Sequence, residues 1–421
     1  MSVARVLALA ALAIVPALSA QAEVAGPTIA GARVAPVAFE KLQGWTSDDH
    51  AGAFAAFRRS CEALARGDPA LRPAEPGSQD LRAICLKAAA LPANSNPEEA
   101  RRFFEQSFAA FEVVPEAGRG FLTGYFEPEY EGALEPSAEF RAPLLARPDD
   151  LVTIAQGETL SGLAPGLQAA RRTEAGNYEP YPDRAAIETW ALGDKARPIA
   201  WVRQPGQAFI IQVQGSARLR LPDGRTLRVA YAGRNGHPYT SIGRILVEEG
   251  RIPKDEMTLA RLMGWLAANT DEARDLMRRN RSFVFFRVAD ELAPSDGPIG
   301  GAGHPLVAGR SLAVDRTLWS YGLPVWLEGE LPVSLTASEP LRRLMIAQDT
   351  GSAIVGPARG DFYFGSGTEA GVRAGPAAAA RALRLARARS QPRARALPDR
   401  TGRRAARRCG PPAPRGGARP W

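Results

Sequence analysis

Apolar and charged positions alternate at helical spacing in the first part of the chain. The pattern covers residues 53–65 and 79–90. A third helix is predicted where Asn96 precedes Pro97 and Glu99, a combination typical of a helix N-terminus. Phenylalanines then recur at helical spacing, at positions 103, 104, 108 and 111. We therefore expect three helices here, with these rings in the core.

The pattern changes after Gly118 to short β-like runs separated by glycine and proline. The first of these runs are residues 120–128, 209–214, 218–221 and 226–231. A hairpin turn signal, Pro-Asp-Gly, stands at 222–224. Residues 254–280 return to helical spacing, and strands resume from 282–286 to 361–364. This order predicts a mainly β fold with helices, in which helices pack against a β-barrel and a second β-rich domain is inserted.

Residues 1–22 have the features of a secretory signal peptide. Arg5 is followed by an apolar run over 6–18 and by Ala20-Gln21-Ala22, a cleavage pattern of small residues. No later stretch approaches the roughly 20 apolar residues that a membrane span needs. No cysteine stands near the cleavage pattern, so we expect no lipid anchor. The prediction is a periplasmic protein, soluble or peripherally associated with the outer membrane.

Two cysteines, Cys61 and Cys85, fall on the first two predicted helices. Export to an oxidising compartment permits them to form a disulfide. The alternative is two separate buried thiols, which apolar helix faces often contain.

The formal net charge of +8 is concentrated at the C-terminus. Residues 372–421 contain 14 arginines and one acidic residue, which leaves 39 basic and 44 acidic side chains and a net charge of −5 elsewhere. This tail is rich in Arg, Ala, Pro and Gly and has no periodic apolar face, so we predict that it is disordered. A basic tail suits anionic polymers. Its abrupt start also suggests a frameshift near codon 372.

Several classes of chemistry are disfavoured by the sequence. The chain contains three histidines, His50, His237 and His304, which lie far apart in loop-like sequence, so neither a zinc site nor a Ser-His-Asp triad is expected. There is no P-loop, and no Gly-rich dinucleotide fingerprint lies between a strand and a helix. We therefore predict no metal, no cofactor and no nucleic-acid partner.

The segment Asp349-Thr350-Gly351-Ser352 has the letters of the aspartic protease loop. That chemistry needs two close carboxylates, and this chain has one copy of the segment, so a protease is a remote alternative. A second interpretation joins Asp349 with Asp315 and Asp361, which follow or precede predicted strands. Three aspartates in one cleft raise the pKa of one of them, and such an acid can protonate a glycosidic oxygen. The alternative is that aspartates beside glycines make turns.

The chain resembles the membrane-bound lytic murein transglycosylase A family over roughly residues 115–371. The matching motifs are LTGYFEP (122–128), YPDRAAIE (181–188), VQGS (213–216), YAGRNGHPYTSIG (231–243), NRSFVFF (280–286), GRSLAVD (309–315), AQDTG (347–351) and GDFYFG (360–365). The last three resemble the 3D domain, which is named for three aspartates. The resemblance implies a double-psi β-barrel with a smaller inserted β-barrel and a glycan groove between them.

The resemblance also implies an activity and a site. The family cleaves the β-1,4 bond between N-acetylmuramic acid and N-acetylglucosamine and leaves a 1,6-anhydro ring. Asp361 corresponds to the single catalytic acid and base, and Asp349 and Asp315 to its neighbours. The substrate would be peptidoglycan strands, with other cell-wall proteins as further partners. Candidate groove residues are Thr123, Tyr125, Gln214, Ser216 and Tyr239.

The predicted organisation follows from the same motifs. After the leader come a helical part with the first barrel strand (23–128), the inserted domain (129–245) and the rest of the main domain (246–371). The family's domain normally ends in an apolar strand, so a genuine basic tail would leave the barrel one strand short, with an exposed edge. Two other functions stay open, a hydrolytic muramidase-like enzyme and a non-catalytic glycan-binding protein.

Overall fold

A computed structural model describes residues 28–388, except 93–94, 119, 156, 165, 190, 333–337 and 375–379. The predicted leader over 1–22 lies outside the described residues, as does the part of the basic tail beyond 388. None of the helices in the described part of the chain is long and apolar enough to cross a membrane.

The helices fall into an N-terminal group, a group in the middle of the chain and one near the C-terminus. They are α1 His50–Arg66, α2 Gln79–Ala89, α3 Pro97–Ser107, α4 Arg184–Glu188, α5 Pro205–Gln214, α6 Ile242–Glu248, α7 Leu259–Ala268, α8 Thr270–Arg279 and α9 Gly367–Ala374. The predicted start of α3 is confirmed, because Asn96 and Glu99 form a reciprocal capping box there.

The strands form three sheets. They are β1 Ala32–Val37, β2 Phe108–Pro115, β3 Phe121–Glu127, β4 Glu129–Ala133, β5 Ala142–Leu145, β6 Leu151–Thr153, β7 Ala169–Arg172, β8 Tyr178–Pro180, β9 Pro198–Val202, β10 Ser216–Arg220, β11 Thr226–Arg234, β12 Val284–Val288, β13 Ser311–Val314, β14 Pro324–Pro332, β15 Ser338–Asp349, β16 Arg359–Ser366 and β17 Ala380–Ala388.

The largest sheet has the order β1-β2-β17-β14-β15-β13-β16-β3. A second sheet has the order β12-β11-β10-β4-β9-β5, and β6, β7 and β8 form a small third one. The chain leaves the large sheet after β3 and returns to it at β13, so the other two sheets are built from the intervening residues. The predicted mixture of sheets and helices is confirmed. The described strands pair to form open sheets, so the predicted barrels are not confirmed.

The N-terminal helices pack on the large sheet through an aromatic core. The rings of Phe54, Phe57, Phe103, Phe104 and Phe108 lie at contact distance and are buried. The predicted disulfide is confirmed, since Cys61 of α1 is bonded to Cys85 of α2. The predicted third helix is too long, because α3 ends at Ser107 and the buried rings of Phe108 and Phe111 belong to β2.

Two other sequence predictions differ from the structure. Residues 209–214 were predicted as a strand but form the C-terminal part of α5, which begins with a capping box and a proline in its first turn. A short apolar run does not distinguish a buried strand from a buried helix.

The predicted disorder from residue 372 onwards is wrong for two segments of the tail. Residues 372–374 complete α9, and β17 pairs with β2 on one side and β14 on the other. Two neighbouring strands provide ladder partners along both edges of β17, so strand pairing overrides the weak apolar pattern of its sequence.

Candidate active site

The strand order of the large sheet brings two of the three predicted aspartates together. Ala313 of β13 is paired with Asp349 of β15 on one side and with Asp361 of β16 on the other. The next strand, β3, pairs with β16 so that Thr123 stands opposite Asp361. Residues more than 200 positions apart in sequence therefore meet at this point. Both carboxylates are half-buried.

Asp361 is held by a neutral hydroxyl. Thr123 Oγ1 donates a hydrogen bond to Asp361 Oδ1 at 2.5 Å, and Arg359 Nη2 donates to the same Thr123 oxygen at 2.7 Å. The Arg359 bond occupies the hydroxyl's acceptor side, so the Thr123 proton is directed at the carboxylate. Burial raises the pKa of Asp361 to about 6 and the charge of Asp349 adds to the rise, while Thr123 and Arg359 oppose it.

Asp349 has a denser set of donors. Its Oδ2 accepts from the Tyr125 hydroxyl at 2.8 Å, and its Oδ1 accepts from the backbone N–H groups of Gly301 at 2.7 Å and Thr350 at 2.8 Å. Burial raises the pKa of Asp349, and these hydrogen bonds together with the charge of Arg72 act against the rise. Burial and the nearby Asp349 carboxylate also raise the pKa of Tyr125 well above its usual value, so Tyr125 is a proton donor here.

Asp315 has the contacts of a turn-forming residue. Its Oδ1 accepts from the backbone N–H of Thr317 at 2.9 Å and from the Thr317 hydroxyl at 2.7 Å, and its Oδ2 accepts from Gly356 N–H at 2.7 Å. These bonds fix the turn after β13 against the loop before β16. Within the described residues, the Asp315 carboxylate has no hydrogen bond to the groups that hold Asp349 or Asp361.

The remaining predicted groove residues lie around two adjoining cavities. Tyr125, Gln214, Ser216 and Asp349 line one of about 110 Å³, and Gln214 and Tyr239 line another of about 220 Å³. Gln214 also has a structural bond, because its Oε1 accepts from Phe126 N–H at 3.0 Å. Asp361 interacts electrostatically with one residue of each cavity. The charge of Asp349 raises the pKa of Asp361. Burial is the main cause of the raised pKa of Tyr239, and the charge of Asp361 adds to it.

Several residues of this site are not predicted by the sequence. Arg359 orients Thr123, Gly301 donates to Asp349, and Arg72 and Arg234 line the cavity that contains Asp349. Two of these residues could have been found from the sequence. Arg359 lies two positions before Asp361 and therefore on the same strand face, and Arg234 lies within the YAGRNGHPYTSIG motif. Arg72 and Gly301 come from irregular segments, where no periodicity indicates which groups meet.

No cluster of three or more His, Cys, Asp or Glu side chains suited to a metal ion occurs among the described residues. The site as described consists of carboxylates, hydroxyls, backbone N–H groups and guanidinium groups. Such a set can donate and accept protons and bind polar ligands.

Comparison with known proteins identifies the family. The MltA specific insert domain matches residues 121–287, and the 3D domain matches residues 310–384. The second match extends into β17. The chain is 32% identical to the membrane-bound lytic murein transglycosylase A of Vibrio cholerae over 265 residues, which cover 61% of this chain and 62%, less than two thirds, of that protein.

Solved structures give the same result over a larger share of the chain. A membrane-bound lytic murein transglycosylase from Agrobacterium tumefaciens is 36% identical, with a TM-score of 0.74 and coverage of 84% of this chain and 97% of that one. Escherichia coli MltA with bound chitohexaose is 25% identical, with a TM-score of 0.57 and coverage of 87% and 93%. The chain therefore belongs to the membrane-bound lytic murein transglycosylase A family.

Proposed function

We propose that the protein is a lytic transglycosylase that cleaves the β-1,4 bond between N-acetylmuramic acid and N-acetylglucosamine in peptidoglycan. The observation that carries the proposal is the half-buried Asp361, whose pKa is raised to about 6 beside an ordered hydroxyl. About one tenth of such carboxyls are protonated at pH 7, enough for a general acid at neutral pH. The family membership supports the substrate class, as does the chitohexaose bound by the E. coli relative.

In the proposed reaction one carboxyl acts twice. Protonated Asp361 donates its proton to the glycosidic oxygen as the C1–O4 bond breaks, and the bonding electrons leave with that oxygen on N-acetylglucosamine. The C6 hydroxyl of muramic acid then attacks C1 and forms the C1–O6 bond of the 1,6-anhydro ring. The Asp361 carboxylate takes the hydroxyl proton and returns to its acid form. No water is consumed.

Asp349 is proposed to act through Asp361. Its negative charge disfavours a second charge on Asp361, which keeps the acid protonated to higher pH. Tyr125, Gly301 and Thr350 already donate to both of its oxygens. A hydrolytic muramidase needs a second carboxylate free to activate water, and an aspartic protease needs two carboxylates sharing a proton. The occupied oxygens of Asp349 therefore favour the transglycosylase over both.

Asp315 and the groove residues have supporting roles in this proposal. Asp315 holds the turn that follows β13, next to the strands that carry the reacting groups. Thr123 orients Asp361, while Tyr239, Gln214 and Ser216 line the sugar-binding groove. We also propose that residues 1–22 direct export to the periplasm, where the substrate lies. The mass of the chain recovered from the periplasm would identify the cleavage site.

Digestion of purified peptidoglycan tests the reaction. Mass spectrometry of the soluble products should find 1,6-anhydromuramic ends with the wild-type chain and none with Asp361→Asn. Asp223→Asn, in the exposed β10–β11 turn, is the control and should release the same products as the wild type. Reducing ends would identify a hydrolase, and intact sacculi a non-catalytic glycan-binding protein. If Asp361→Asn cleaved normally while Asp349→Asn did not, the roles of the two aspartates would be reversed.

A further inference from the structure

Three arginines converge beside Asp349. Arg72 and Arg234 both line the cavity that contains Asp349, and the Arg72 guanidinium lies 5.6 Å from the centre of the Tyr231 ring in the same cavity. Arg316 joins them from the turn after β13, and its Nη1 donates to the carbonyl of Pro73, the neighbour of Arg72, at 2.7 Å. We call these three residues the arginine cluster.

Arg234 is the clearest sign that the arginine cluster is a binding site. Its side chain is 6% exposed, its Nε has no hydrogen-bond partner among the described residues, and its terminal nitrogens contact only neutral groups, the Ser352 hydroxyl and the His237 carbonyl. A buried cation without an anionic partner is costly, because desolvation removes water that nothing charged replaces. Burial, with smaller contributions from the charges of Arg72 and Arg316, lowers the pKa of Arg234 to about 10.

The other two arginines also lack a close carboxylate. Within the described residues, neither Arg72 nor Arg316 has a carboxylate oxygen within 4 Å. The charge of Arg72 reaches Asp349, and that of Arg316 reaches Asp315, but the oxygens of both aspartates already accept bonds from other donors. Arg72 is oriented instead by its bond to the Thr350 carbonyl, at 3.2 Å, and by the Tyr231 ring.

We propose that the arginine cluster binds a carboxylate of the substrate at the groove end beside Asp349. Guanidinium groups match carboxylates through paired, charge-assisted hydrogen bonds. This inference rests on the proposed function, because the acidic groups are those of peptidoglycan. Muramic acid carries a lactyl carboxyl that is free in denuded strands, and in peptide-bearing strands the stem peptide provides carboxylates of its own. Both sources present the same chemistry to the arginine cluster.

Binding assays with an uncleavable complex test the inference. The full chain carrying Asp361→Asn would be titrated calorimetrically with chitohexaose, which is neutral, with a denuded glycan of the same length, and with a peptide-bearing glycan. We expect at least one carboxylate-bearing glycan to bind about tenfold more tightly than chitohexaose. A preference for the denuded glycan identifies the lactyl carboxylate as the ligand group, and a preference for the peptide-bearing glycan alone identifies a stem-peptide carboxylate.

Arginine substitutions added to the Asp361→Asn chain would show which residues cause the preference for a carboxylate-bearing glycan. Arg72→Gln and Arg316→Gln, which change partly exposed side chains, should each weaken binding of the preferred glycan more than binding of chitohexaose, so that the preference falls several-fold. Arg225→Gln, in the exposed β10–β11 turn, should preserve it. Equal binding of all three glycans, or a preference unchanged in both cluster variants, would overturn the inference while leaving the proposed function intact. Failure to bind any of the glycans would contradict the proposed function itself.

Discussion

The two ends of β3 hold carboxylates in opposite ways. Thr123, Tyr125 and Glu127 alternate along one face of the strand, as the two-residue period requires. At the groove end, Thr123 and Tyr125 present hydroxyls to the half-buried carboxylates of Asp361 and Asp349. At the other end, Glu127 is 1% exposed and is bound by two arginines and a serine.

The Glu127 end joins the two larger sheets. Arg218 of β10 donates to Glu127 at 2.8 Å, Arg228 of β11 at 2.9 Å, and Ser366 of β16 at 2.6 Å. Both arginines also donate to carbonyls of the 293–296 loop. Two guanidinium groups compensate the charge of Glu127, whereas Asp361 is bonded to a neutral hydroxyl and burial raises its pKa. The first arrangement connects the sheets, and the second provides the acid of the proposed reaction.

The largest expected effect comes from removing the charge at the connecting end. Glu127→Gln leaves the buried Arg228 and the half-buried Arg218 without a carboxylate, so we expect the free energy of unfolding to fall by about 3–5 kcal/mol. Urea unfolding followed by circular dichroism would measure the loss. Asp223→Asn, which removes an acid paired with an arginine at the surface, should leave the transition unchanged. A Glu127→Gln variant as stable as the wild type would show that the network contributes nothing to the junction.

At the groove end of β3 we expect the opposite result, because removal of the Asp361 charge should increase the free energy of unfolding. The pKa of Asp361 rises from 3.8 when unfolded to about 6 when folded, so ionised Asp361 destabilises the folded state. This cost is absent below pH 3.8, grows between pH 3.8 and 6 and is complete above pH 6. Asp361→Asn should therefore stabilise the protein at pH 8, by on the order of 2–3 kcal/mol.

Unfolding of the wild type and Asp361→Asn at pH 4, 6 and 8 would measure this difference. The gain should shrink as the pH falls toward 4, because the wild-type carboxyl becomes protonated in both states. A gain of the same size at every pH would mean that packing, not ionisation, separates the two proteins. If Asp361→Asn abolishes cleavage and also stabilises the protein at pH 8, then the wild-type carboxylate lowers the free energy of unfolding at the position where the proposed reaction needs it.

These two ends also differ in what the sequence predicts about them. Asp361 and Asp349 stand in motifs that match the family, so the sequence predicts that they meet. The Glu127 network was not predicted, because Arg218, Arg228 and Ser366 lie on three strands whose neighbours in the sheets are not encoded by any local pattern. Register alone decides which of the many arginines faces Glu127.

Local periodicity has the same limit elsewhere in the fold. The capping box at Asn96 predicts the start of α3 because it is a contact within one helix turn. The strand β17 was missed because its stability comes from pairing with β2 and β14, which are distant in sequence. The arginine cluster was missed for a similar reason, since Arg72 comes from an irregular segment between α1 and α2.

A smaller effect is expected where Thr123 contacts Asp361. The Thr123 hydroxyl stabilises the ionised form, so Thr123→Val should raise the pKa of Asp361 by about one unit. If protonated Asp361 is the acid, kcat/KM falls above its pKa, and this descending limb should move from about pH 6 to higher pH. Thr123→Ser keeps the hydroxyl and should keep the limb in place. A limb that did not move in Thr123→Val would assign it to another group.

The smallest effect is expected for Tyr125→Phe. Asp349 loses the Tyr125 hydroxyl but keeps the backbone N–H groups of Gly301 and Thr350, so its position is largely preserved. We expect kcat/KM to fall about fivefold and the free energy of unfolding by about 1 kcal/mol, as for the loss of one typical hydrogen bond. Steady-state digestion of soluble glycan strands would measure the first quantity, with Asp349→Asn as the reference variant. If Tyr125→Phe were more damaging than Asp349→Asn, Tyr125 would act on the sugar directly rather than through Asp349.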